Sequence, residues 1–140
     1  MRLEGTASEA NLREAFAREA QTHRRLHYFA RRADIEGHAE VAGMLRQIAE
    51  GETGHAFGHL EFLEEVGDPL SGEPLGDTRT NLRAALAAET ADADDHYARW
   101  AETARSERLG ELADWFEACA AAERAHAALL RRLLEDVEGE

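Results

Sequence analysis

Cysteine and proline are scarce in this chain, and positive charge is outnumbered. A single cysteine, Cys119, excludes an internal disulfide and any cysteine-built zinc site, and it suits a reducing compartment. The two prolines, Pro69 and Pro74, both fall between residues 67 and 77, so everything outside that stretch is free to be helical. No apolar run approaches the ~20 residues that a membrane span needs, and the opening MRLEGTASE has no secretory hydrophobic stretch, so a cytoplasmic protein is expected. Sixteen basic residues against 29 acidic ones leave a formal charge of −13, which repels nucleic acid and anionic membranes. The expected partners are cations, small molecules or basic protein surfaces.

What is present is alanine, leucine and acid in 140 residues with 44% hydrophobic content, which fits a single all-α domain spanning 1–140. The chain also repeats itself. NLREAFAREA (11–20) matches NLRAALAAET (81–90) at an offset of 70, whereas GETGHA (51–56) matches AERAHA (122–127) at 71. The one-residue change of offset is expected in a turn. Each copy reads as a helical hairpin, 7–66 and 78–138. Thr6 and Glu9 form a capping-box pattern at the start of the first, Gly37 breaks that hairpin, and a tight joint near Ser106 breaks the second. Residues 67–77 (GDPLSGEPLGD) form a linker that, at ~3.3 Å per residue, can span ~36 Å and so run along a four-helix bundle.

The polar residues on the apolar stripes carry the chemistry. Val41, Leu45, Ile48 and Leu63 define the inward stripe of the second helix, and Glu52 and His55 share it. Leu12, Phe16 and Leu26 flank Glu19 on the first helix; Leu82, Leu86 and Trp100 flank Glu89 and Asp92 on the third; Leu112, Phe116, Cys119 and Leu130 flank Glu123 and His126 on the fourth. Counted from the hairpin turns, Glu19, His55, Glu89 and Glu123 lie at one level. The expectation is that Glu19, Glu52, His55, Glu89, Asp92, Glu123 and His126 gather mid-bundle. Buried carboxylates without compensation cost several kcal/mol each, and five together exceed the ~5–15 kcal/mol by which a domain is stable. Arg13, Arg18, Arg24 and Arg25 fall mostly off these stripes, so divalent cations are the expected compensation. Two carboxylate helices with two Glu-x-x-His helices are the ligand plan of di-iron and di-manganese bundles, since residues at i and i+3 face one way.

A lone Glu-x-x-His is more often a solvated pair than a ligand set; the matched second copy reverses that. Asp92 is read as a ligand or near-ligand through its i+3 relation to Glu89, although Asp94 and Asp95 follow it. His59, His23 and His96 are expected as core or second-layer histidines, His27 and His38 at the surface, and Cys119 as packing. Gly51, Gly54 and Gly58 share one sector of their helix, where close approach by a neighbouring helix, a subunit interface or room for a small molecule would compensate the ~1 kcal/mol each costs relative to alanine.

At these residues the chain resembles the rubrerythrin family of ferritin-like proteins, from LEGTASEANLREAFAREAQ through IAEGETGHA and NLRAALAAETADADDHY to WFEACAAAERAHA. The resemblance implies a ferritin-like four-helix bundle with two iron ions held by Glu19, Glu52, His55, Glu89, Glu123 and His126, manganese or zinc being substitutes. It also implies a peroxidase that reduces hydrogen peroxide to water. In the family a glutamate three residues beyond the third-helix ligand exchanges with the second-helix histidine as one iron changes oxidation state; here that position is Asp92, one methylene shorter. The family's first-helix tyrosine is Leu26 here, whereas Tyr97 keeps the third-helix one, as a candidate hydrogen-bond partner of a ligand carboxylate. The chain has no Cys-x-x-Cys pair of a rubredoxin domain, so electrons are expected from a separate donor such as rubredoxin or ferredoxin. The other readings are an oxygen-dependent ferroxidase or iron-handling protein and a non-catalytic, metal-stabilised interaction module. The linker makes a homodimer with exchanged hairpins plausible.

Overall fold

The computed structural model describes residues 1–139, and its regular structure is helical throughout. Helix α1 (Ala7–Ile35) folds back on α2 (Ala39–Leu63) to make a first hairpin within the compact unit Met1–Pro69. The second unit, Leu70–Glu140, contains α3 (Thr78–Ala91), a π-helical turn (Asp92–His96), α4 (Tyr97–Ser106) and α5 (Gly110–Glu138); α5 packs back along the other three.

Local chemistry sets the helix ends. Thr6 accepts a hydrogen bond from the Glu9 amide at 3.1 Å, as the capping pattern predicts, but Glu9 returns its carboxylate to the Gly5 amide at 3.3 Å. The Thr6 amide is already taken by the Leu3 carbonyl at 3.0 Å, so the box closes one residue earlier. Asp77 caps α3 by accepting from the Thr80 amide at 2.8 Å, and that bond holds its carboxyl below the usual range. Arg79 donates to the Val137 carbonyl at 3.1 Å and so ties the last turn of α5 to the first turn of α3.

The two hairpin turns share one device. Gly37, at φ 85°, lets its own amide reach the Asp34 carbonyl (3.1 Å) and the His38 amide reach the Ala33 carbonyl (2.8 Å), a Schellman closure. Arg108, 71 positions on, stands at φ 63° with the equivalent bonds, Arg108 to Arg105 (3.0 Å) and Leu109 to Ala104 (2.8 Å). Each turn is braced by an ion pair at equivalent positions with its charges exchanged. Asp34 pairs with Arg46 in the first hairpin; Arg105 pairs with Glu117 at 2.7 Å in the second, and also with Asp114 at 2.9 Å.

The cores differ from the expected leucine and aromatic stripes. Ala30, Ala33, Ala42 and Ala49 are buried in the first hairpin, and Ala101, Ala104, Ala113 and Ala120, each 71 positions on, are buried in the second. Val41 (53% exposed) and Ile48 (49%), expected inside, are exposed, as are Trp100 and Leu112; only Leu63 of the second-helix stripe is fully buried. The reason is steric: two helices in a hairpin approach along the stripe with the smallest side chains, which leaves the bulky residues on the flanking faces. Close helix approach does not account for Gly51, Gly54 and Gly58 either, since a Cβ added at each meets nothing within 4 Å.

The change of repeat offset is not in a turn. Glu19 and Glu89 are 70 apart, whereas Ala30 and Ala101 are already 71 apart, so the extra residue lies between Glu89 and Ala101. That interval holds the π-helical turn Asp92–His96, whose wider loop takes in one more residue without ending the helix. Arg124 of α5 reaches the Ala93 carbonyl in that turn at 3.5 Å and Asp94 at 3.7 Å.

The turns yield a paired prediction. Arg108→Gly relieves a left-handed backbone that costs an L-residue ~1 kcal/mol and should raise the thermal midpoint by a few degrees, whereas Gly37→Ala should lower it comparably. Thermal unfolding followed by circular dichroism checks both signs.

Candidate metal centre

The predicted ligands fall into two equivalent groups, one per hairpin. In the first, Glu19 of α1 meets Glu52 and His55 of α2; His55 Nδ1 lies 3.3 Å from Glu52 Oε2 and 3.7 Å from Glu19 Oε1. In the second, Glu89 of α3 meets Glu123 and His126 of α5, with His126 Nδ1 3.6 Å from Glu89 Oε2. In each triad one ligand atom from every residue lies within 4.8 Å of the others. The i, i+3 spacing puts Glu and His on one face of their helix, and the alanine stripe brings the opposing glutamate to that face. In both hairpins the histidine presents the same nitrogen, Nδ1, to the carboxylates.

The triads are less enclosed than expected. The side chains of Glu19 and Glu52 are each 23% exposed, and His55 is 66% exposed. Glu89 is 29% and His126 57% exposed. No charged side chain is fully buried among the described residues, because each hairpin closes only over its alanines. One oxygen in each hairpin is nonetheless sealed. Glu19 Oε2 and Glu89 Oε2 are shielded from solvent and have no hydrogen-bond partner, at equivalent places in the repeat. A shielded carboxylate oxygen without a donor is destabilising unless something positive meets it.

Electrostatics in the first hairpin agree. Glu19 is held above the ordinary carboxylate range, chiefly by its hydrogen bond to Glu52, then by desolvation and by the charge of Glu52; His55 and His59 pull it back. Glu52 is held below the ordinary range, chiefly by that same bond and then by His55. The proton affinities of the two carboxylates are therefore pulled apart, as happens when two carboxyl groups crowd one place. Two carboxylates and an imidazole per hairpin, with one shielded oxygen in each that lacks a hydrogen bond, match the oxygen and nitrogen donor set that divalent iron, manganese and zinc accept.

Asp92 and Tyr97 lie outside the triads. Asp92 opens the π turn and contacts His96 Nδ1 at 3.0 Å, while His96 stacks on Trp100 with ring centroids 5.5 Å apart. Tyr97 packs edge-on against Trp100 (5.3 Å) and near Phe116 (6.0 Å). Cys119 is a half-buried free thiol. His27, expected at the surface, instead faces Glu50 of α2 together with His23. The i, i+4 spacing of His23 and His27 was the available signal; which α2 residue they would meet could not be read from it.

Helical hairpins that each hold a Glu and a Glu-x-x-His triad define the ferritin-like, all-α class of metal-carboxylate proteins. The rubrerythrin family model matches residues 10–84 and 80–140, and the chain belongs to that family, one of di-iron oxidoreductases linked to oxidative stress. It is 36% identical to a rubrerythrin of Porphyromonas gingivalis, covering 97% of this chain and 70% of that one. It is 33% identical to rubrerythrin-1 of Clostridium acetobutylicum, covering 97% and 74%. No helix among the described residues is long and apolar enough to cross a membrane.

The opposed shifts of Glu19 and Glu52 give a pH prediction for the metal-free protein. Because Glu19 has its folded pKa raised, its contribution to stability is full at low pH and is lost as pH rises through the folded value. Glu52, held low, contributes above its unfolded value and loses that contribution as pH falls through the folded one. Glu19→Gln supplies a permanent N–H donor to Glu52. It should raise the metal-free melting temperature at neutral pH by a few degrees and remove the loss on the high-pH side. Thermal melts in chelator across acidic to neutral pH read this out; an unchanged high-pH loss would rule out the coupling of Glu19 to Glu52.

Proposed function

We propose that this chain is a two-iron peroxidase that reduces hydrogen peroxide to water with electrons from a separate donor protein, a rubredoxin or ferredoxin. One observation carries the ligand assignment: at equivalent positions of the repeat, each hairpin turns a Glu-x-x-His pair toward a glutamate whose inner oxygen has no hydrogen-bond partner. Glu19, Glu52, His55, Glu89, Glu123 and His126 hold the two ions, and Asp92 is the exchanging ligand. Iron, when bound, supplies the electrons and the Lewis acidity for breaking the O–O bond.

The chain's own groups do the rest. Four carboxylates offset the four positive charges of two divalent ions. Glu19, held above the ordinary carboxylate range, must be deprotonated to act as a ligand, which couples metal uptake to proton release as pH falls. The solvent-facing sides of His55 and His126 leave room for an oxidant as small as peroxide to arrive. His96, 3.0 Å from Asp92, gives that carboxylate a resting partner when it is not needed as a ligand. Tyr97 begins the helix that follows the π turn, anchored by Trp100 and Phe116, and its hydroxyl serves a ligand carboxylate. Membership of the family and the lone free thiol support a cytoplasmic setting.

Stopped-flow mixing of the diferrous protein with peroxide and with oxygen tests the activity. Oxidation should be faster with peroxide. Faster oxidation by oxygen, together with uptake of more than two irons per chain, would identify a ferroxidase instead.

The ligand set divides into three residues per hairpin, so two copies of the chain can complete each other's centres, and we propose an exchanged homodimer. Refolding a mixture of Glu52→Ala and Glu123→Ala chains should recover peroxidase activity that neither has alone, since a dimer with exchanged hairpins contains one centre with both glutamates intact. No recovery would assign each centre to a single chain.

A further inference from the structure

We propose that the first hairpin carries a further metal site, for one divalent first-row transition-metal ion, made by His23 and His27 of α1 and Glu50 of α2. None of the three belongs to the triads above. His23 Nε2 lies 3.7 Å and His27 Nε2 3.4 Å from the same oxygen, Glu50 Oε1, and one ligand atom from each residue falls within 4.8 Å of the others. Four ligands at ~2.1 Å from one tetrahedral ion are separated by roughly 3.4 Å, so these atoms already stand about as far apart as donors to a common metal.

The local geometry explains the convergence. Residues four apart project from one face of a helix, and the imidazoles of His23 and His27 sit edge to face with centroids 4.7 Å apart, both turning Nε2 toward α2. Two imidazoles and a carboxylate are borderline donors that suit Fe(II), Co(II) and Zn(II) rather than Mg(II) or Ca(II). Three protein ligands leave room for water, and the site borders a cavity of 410 Å³ lined by His23 and Glu50 together with Glu19 and Glu52. Comparison with the second hairpin separates these donors from the repeat itself. Ala98 and Ala121 stand 71 positions beyond His27 and Glu50, so the second copy has neither donor and builds its triad without them. His23 and His27 are half-buried, which limits the side-chain freedom lost on binding, while Glu50 is 68% exposed and free to swing onto an ion.

The test uses the full chain with Glu52→Ala and Glu123→Ala, which removes a glutamate from each triad, so that it does not depend on the iron centre. Equilibrium dialysis against Zn(II) after chelator treatment should leave one ion per chain, and Co(II) should give a visible absorption band. Adding His27→Gln should abolish the band and weaken binding at least about tenfold, since even groups behind the ligands cost 10–100-fold when removed. Glutamine is a good helix former at this partly exposed position, and circular dichroism confirms that α1 persists. Glu50→Gln, at an exposed position, gives a second variant with the same expected loss. A background chain that binds no Zn(II), or variants that bind it undiminished, would overturn the site and show a plain histidine–carboxylate ion pair, leaving the proposed iron centre untouched.

Discussion

The crowding of acidic oxygens against one another is the constraint from which the rest of this structure follows. Glu19 is held above and Glu52 below the ordinary carboxylate range by their mutual approach, and Glu19 Oε2 and Glu89 Oε2 are shielded from water without a hydrogen-bond partner. A shielded oxygen without a donor costs stability unless a cation meets it, so in the proposed iron-bound protein folding energy and metal affinity are two sides of one coupling. The half-exposed histidines fit this, since an entering ion needs a path and a ligand that can reach it while still hydrated.

The alanine stripes are the means by which this crowding is imposed. Small side chains at Ala30, Ala33, Ala42 and Ala49, and at Ala101, Ala104, Ala113 and Ala120, let paired helices come close enough for a glutamate on one to meet the Glu-x-x-His of the other. Bulkier residues at those positions would hold the helices apart and separate the ligands. The Schellman turns and the charge-exchanged pairs Asp34–Arg46 and Arg105–Glu117 then fix the register of each hairpin at its closed end. The duplication has kept the geometry while changing its chemistry, glycine to arginine at the turn and acid to base in the brace.

The halves diverge in the third helix and at His23, His27 and Glu50. One added residue becomes a π turn between Glu89 and Tyr97, so the residues after it are rotated relative to their counterparts in the first hairpin. Asp92 lies at its start, beside His96, and Arg124 supports the Ala93 carbonyl within it. An inserted residue inside a helix is destabilising unless its displaced backbone groups find partners, and its position just after Glu89 ties that irregularity to the face that carries the second triad.

Read alone, the amino-acid sequence determined the helices, their breaks at Gly37 and near Ser106, the duplication and the shared faces of the two Glu-x-x-His pairs, because i, i+3 and i, i+4 spacings are fixed by the helix itself. It misplaced the core, since the large residues at Val41 and Ile48 mark an apolar face without saying which helix covers it. It detected the extra residue but put it in a turn, because an offset between repeats does not reveal whether a helix ends or widens. The meeting of His23 and His27 with Glu50, and the loss of hydrogen-bonding partners at Glu19 and Glu89, were settled only by tertiary structure. Contacts across a hairpin depend on how closely two helices pack and at what register, and no periodicity within either helix contains that information.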